Sequence, residues 1–104
     1  MRRDELETIW LRLTRVDLPG VAASHGWPVR HDHCFARILL DNACGGRWCD
    51  HVAGRPAYRH APPEMLNRAI AFGEACLADS ALLPLLNARS LRWCGKGGGS
   101  SGLA

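Results

Sequence analysis

Apolar residues recur along most of this chain at steps of three and four, the spacing that lines one face of a helix. From Asp4 to Val16 the stripe is Leu6, Ile9, Trp10, Leu13 and Val16. Arg12 and Arg15 fall outside it, and Glu5 and Glu7 lead the basic residues, the order that suits a helix dipole. Asp17-Leu18-Pro19-Gly20 predicts the end of this helix, since proline lacks the N–H that would continue it. Val21 to His25 reads as a short helix closed by Gly26, and Trp27-Pro28 as an extended exit. A further helix is predicted over 33–43, capped by Asp32, with Phe35, Ile38, Leu39 and Ala43 inward and Arg37 and Asp41 paired on the outside. Gly45-Gly46 stops it. A short turn or helix at Trp48 to Val52 follows, then a loop from Gly54-Arg55-Pro56 through Tyr58. The clearest stripe is Leu66, Ala69, Ile70, Gly73, Cys76 and Leu77 on a helix over 63–78, entered through Pro62-Pro63. Asp79 or Ser80 caps a last helix over 82–93 that carries Leu82, Leu85, Leu86 and Trp93, with Pro84 in its opening turn.

Neither a sustained alternating pattern nor an internal repeat is present. The expectation is an all-α fold: a single compact domain over residues 1–94, made of four or five helices with 44–60 as an irregular connection. Residues 95–104 are Gly/Ser-rich and read as a flexible tail or the remnant of an added linker.

Composition narrows the function classes. A chain of 104 residues suffices for one modest core, and 47% apolar with 22% charged residues is globular rather than disordered. The formal charge of +3 permits an acidic partner, but without a clustered basic face it argues against nucleic acid. No 18-residue apolar run predicts a membrane span, and MRRDELETIW has no apolar leader region. The five cysteines are read as reduced thiols, which places the protein in the cytoplasm.

Chemistry concentrates between Trp27 and His60. That stretch holds four of the five His, three of the five Cys and five Arg, with no Lys and no Glu, so its cations are all of the planar or imidazole kind. Arg30, His31, His33, Arg55, Arg59 and His60 flank it, and Trp48 and Tyr58 offer faces for a planar group. Guanidinium forks match carboxylate and phosphate, so an anionic small molecule or a protein partner is the leading ligand. Salt bridges to Asp32, Asp41 and Asp50 are the structural alternative for those arginines. Zinc is a second possibility. Cys44 and Cys49 are separated by Gly45, Gly46 and two further residues, His51 follows, and His33, His31 or Cys34 would complete a tetrahedron. The competing account makes Cys34, Cys44 and Cys76 small core residues. Cys34, in the first turn of a helix, is also in a position where a dipole activates a thiol, with His31 or a distant His as base.

Two resemblances bear on catalysis. His33, Asn42 and His51 stand in the order of the HNH endonucleases, a likeness that implies His33 as general base and His51 as a metal ligand, with a β-hairpin between the first two. More broadly, His31-Asp32-His33-Cys34-Phe35, Ile38, Leu40-Asp41, Gly46-Arg47-Trp48, Arg55-Pro56-Ala57, Leu86-Asn87 and Ser90-Leu91 resemble a family of small bacterial proteins sometimes labelled GNAT-type acetyltransferases. That label implies acetyl-CoA, a curved sheet and a Gly-rich pyrophosphate loop; the chain itself carries no such loop. An enzyme, whether an acyltransferase or a metal-dependent hydrolase, is therefore the alternative to a binding or accessory module.

Overall fold

In the computed structural model, residues 2–52, 54 and 56–93 are described. Over these the chain forms six α-helices and no strand: α1 (Arg3–Arg12), α2 (Leu18–Ala22), α3 (Asp32–Cys44), α4 (Ala57–His60), α5 (Pro63–Ala78) and α6 (Leu82–Trp93). The fold is all-α and packs into one compact globule, and no described helix is long and apolar enough to cross a membrane. The Gly/Ser-rich segment 95–104 lies outside the described residues.

The first helix does not stop at Asp17. A π-helical turn, Leu13–Asp17, joins α1 directly to α2, and Pro19 sits in the first turn of α2. Here the Leu18 N–H reaches back to the Leu13 carbonyl, one residue further than an α-helix allows. This widening comes just before the residue that has no N–H to offer and whose ring would press on a carbonyl of the preceding turn. It also resets the phase of the buried face. Leu6, Trp10, Thr14, Leu18 and Ala22 are buried at steps of four, and each such step overshoots an α-turn by about 40°. The wider turn takes back part of that drift, so Val16, expected in the stripe, is 59% exposed. Buried Thr14 donates its hydroxyl to the Trp10 carbonyl at 3.0 Å.

The centre of the globule is α3. It packs along α5 and α6, with the π turn, α2 and the Trp48–Asp50 3₁₀ turn against its remaining sides. Phe35, Ile38, Leu39, Leu40 and Ala43 are all buried, a wider arc than one amphipathic stripe, because helices cover α3 on several faces. Gly45 ends it in the left-handed conformation (φ 71°), and the N–H groups of Gly45 and Gly46 both reach the Asp41 carbonyl. Asp32 is the first helical residue rather than the cap; its carboxylate accepts the His33 N–H at 2.9 Å.

Close approach of α5 depends on Gly73. A Cβ there would lie 2.4 Å from Leu13 Cδ2 and 3.0 Å from Leu39 Cδ1. The buried face of α5 is Met65, Leu66, Ala69, Ile70, Gly73 and Cys76, as its stripe predicts, with Leu77 at the edge (37% exposed). On α6 the inward residues are Leu83, Leu86, Asn87 and Ser90, so the helix is rotated from the expected face and Leu85 is 58% exposed. Leu82-Leu83-Pro84-Leu85-Leu86 is apolar nearly all round and cannot set the rotation by itself. Arg37 and Asp41 of α3 set it by hydrogen bonding to Asn87 and Ser90. Instead of remaining irregular throughout, the 44–60 connection contains the 3₁₀ turn and α4, anchored by buried Val52 and Ala61.

Candidate functional site

Arg37 and Asp41 do not form an outward pair. Both turn toward α6, where Arg37 NH1 donates to Ser90 Oγ at 3.0 Å and NH2 donates to Asn87 Oδ1 at 2.9 Å. The Ser90 hydroxyl in turn donates a hydrogen bond to Asp41 Oδ2 at 2.6 Å, and Asp41 Oδ1 accepts the Trp48 N–H at 2.9 Å. Asp41 is only 1% exposed and Ser90 is fully buried. A carboxylate taken out of water has to be met by donors, so Asn87 and Ser90 face inward and the 3₁₀ turn is pinned to α3. Nearby, Asn42 Nδ2 donates to the Ile38 and Leu86 carbonyls, and Arg68 Nε to the Ala43 carbonyl, which closes the polar bookkeeping around the end of α3. Among the described residues no buried side-chain nitrogen or oxygen lacks a partner.

This network forms one wall of a cleft of about 840 Å³ between the first helix, α3, the 3₁₀ turn and α4. Arg15, Arg37 and Arg47 line it with His33, set against the carboxylates of Asp32 and Asp41. Trp10, Leu11, Ala36, Leu40, Trp48 and Tyr58 supply apolar and aromatic surface. Arg15 is engaged by Asp32 across the mouth at 3.7 Å, and Arg47 is exposed at the rim, with NH2 at 3.5 Å from Cys49 Sγ.

Of the residues expected at a binding site, His33, Trp48 and Tyr58 meet in this cleft. Arg30, His31 and Arg59 are exposed and do not line it; the His31 ring stacks on His33 with centroids 5.6 Å apart. Arg55 lies outside the described residues. Arg15, Arg37 and Arg47 are the cations that a reading centred on the flanks of the dense segment passed over. In the sequence Arg15 is marked only by lying off the apolar stripe, Arg37 by standing one turn before Asp41, and Arg47 by the Gly46-Arg47-Trp48 run of the family resemblance.

The residues of the zinc reading separate. Cys49 and His33 line the main cleft, whereas Cys44 and His51 line a second cavity of about 470 Å³ with Glu64, Met65 and Arg68. Among the described residues no group of three or more His, Cys, Asp or Glu is placed to hold a metal ion. Burial raises the Cys44 thiol above its ordinary pKa, with the Asp41 charge adding to the rise and a backbone hydrogen bond at Gly46 and the Arg68 charge opposing it. Burial, helped by the Asp79 charge, pushes Cys76 up to about 11. Both thiols are thereby held in the neutral, unreactive form. The HNH-like trio does not assemble either. His33 and Asn42 lie on one helix, nine residues and so about 13 Å apart along its axis, and His51 opens to the other cavity. The curved sheet implied by the acetyltransferase likeness is not part of this fold among the described residues.

No protein-family model, curated protein or solved structure matches the chain.

Proposed function

We propose that this helical protein is a binding module whose main cleft takes a small anionic molecule. One observation carries the reading: three guanidiniums and an imidazole, from separate parts of the chain, outnumber the Asp32 and Asp41 carboxylates in a single concave space whose other walls are mainly apolar and aromatic. Binding sites for small molecules are characteristically concave, mostly apolar, and fitted with a few convergent polar groups. A volume of about 840 Å³ falls within the ordinary range for such sites. The concavity favours a small molecule over the protein partner that the same charges would also suit. Arginine against an anion gives orientation as well as attraction, and Trp48 and Tyr58 offer flat surface for the ligand's body.

The test is thermal unfolding of the purified chain in the presence of phosphate, nucleotides, coenzyme A, dicarboxylates and aromatic carboxylates. A ligand present at a hundredfold excess over its Kd stabilises the folded state by about 2.7 kcal/mol, which raises the Tm of a domain this size by roughly 10 °C or more. Members of at least one anionic class are expected to raise the midpoint, and their neutral analogues are not. Midpoints unmoved across the whole set would refute the proposal.

A further inference from the structure

Resting on that reading, we infer that the ligand's charged group is a carboxylate carried on an aromatic body, and that Arg37 is the residue that selects it. The Arg37 guanidinium lines the cleft and is held in place by α6. Its two terminal nitrogens are each held by a neutral acceptor, Ser90 Oγ and Asn87 Oδ1, both on buried α6 residues. It makes no ion pair among the described residues, whereas Arg15 is engaged by Asp32. The Ser90 hydroxyl links Arg37 to Asp41. A half-buried guanidinium thus stands at the cleft with its rotamer already set, its terminal nitrogens turned to α6, and its Nε–H and one hydrogen on each terminal nitrogen not used by those two bonds. An anion docking there meets a pre-ordered partner, so little side-chain entropy is lost on binding.

Three features favour a carboxylate over a phosphate. The side edge of a guanidinium, Nε–H with the adjacent terminal N–H, matches the two oxygens of a planar monoanion. The lining also includes the Asp32 and Asp41 carboxylates, which repel a dianion more than a monoanion. Finally, the positive end of α3, the usual place for a phosphate, is already met by the chain's own anion, since Asp32 accepts the His33 N–H. The remaining wall from Trp10, Leu11, Ala36, Leu40 and Tyr58 suits the apolar body of the ligand.

The experiment is an NMR titration of the ¹⁵N-labelled full chain with three probes of one shape: 2-naphthoate, 2-naphthamide and 2-naphthyl phosphate. Naphthoate is expected to move the Arg37 Nε, Ala36 and Tyr58 signals and to bind at least about tenfold tighter than the other two, a gap of roughly 1.4 kcal/mol. In Arg37→Gln this preference for naphthoate over the amide collapses to near unity. Arg37→Lys, which keeps charge and length but not the fork, retains only a small part of it and serves if the Gln variant fails to fold. Asn87→Ala, which loosens Arg37 without touching the ligand, lowers the preference while leaving amide binding unchanged. A preference that survives in Arg37→Lys, or phosphate binding tighter than naphthoate, would overturn the inference while leaving an anion-binding cleft intact. If no probe moves any cleft signal, the reading of the cleft fails as well, and the inference falls with it.

Discussion

Asp41 illustrates how much one side chain decides here. Its two oxygens gather a backbone N–H from the 3₁₀ turn and a hydroxyl from α6, so a single carboxylate ties three elements together and indirectly aims Arg37. Replacing it by Ala removes the acceptor for both donors in a site closed to water, at about 1–3 kcal/mol for each one left unmet. Asp41→Ala is therefore expected to lose roughly 2–5 kcal/mol of stability. Urea unfolding checks this; a loss under about 0.5 kcal/mol, typical of a surface change, would show that the network does not hold the fold. The inward turn of Arg37 and Asp41 was not legible in the sequence, and the reason is physical. Opposite charges four residues apart look alike whether they pair in solvent or reach separate partners inside, and here the partners, Asn87 and Ser90, lie some fifty positions away.

At the scale of elements, apolar periodicity located helices well where one face alone is buried. The span of α5 matches its prediction over 63–78, and that of α6 matches 82–93. Periodicity misled where the helix itself is irregular or its inward face is polar. Pro19 in the sequence predicts a stop, yet the π turn lets the helix pass through it, and the same turn moves Val16 out of the core. The rotation of α6 escaped because its inward-facing residues include Asn87 and Ser90, which a search for apolar stripes discards. Gly73 gives the packing of these elements a direct check. In a helix, alanine is intrinsically better than glycine by about 1 kcal/mol. Here its methyl would overlap Leu13, so Gly73→Ala is expected to lower stability by about 1–3 kcal/mol, read as a reduced Tm. A raised Tm would mean that α5 does not approach the π turn this closely.

Across the whole molecule, the domain and its all-α class were readable from composition and pattern, but only part of the cleft was. The dense segment from Trp27 to His60 does supply His33, Arg37, Arg47, Trp48 and Tyr58, while Arg15 and the Trp10 wall arrive from a helix that the sequence marks as ordinary. A concave surface is made by elements distant in the chain, and residue spacing carries no record of which ones meet. Local density of His and Cys also suggested a metal that the tertiary arrangement does not gather, since Cys44 and Cys49 open to different cavities. What the fold does gather is three guanidiniums, aromatic surface and a space of small-molecule size. The most direct test is a crystal structure of the chain grown with 2-naphthoate. The ring is expected in the cleft against Ala36, Leu40 and Tyr58 with its carboxylate on Arg37; a ligand seated elsewhere, with the cleft holding only solvent, would contradict this.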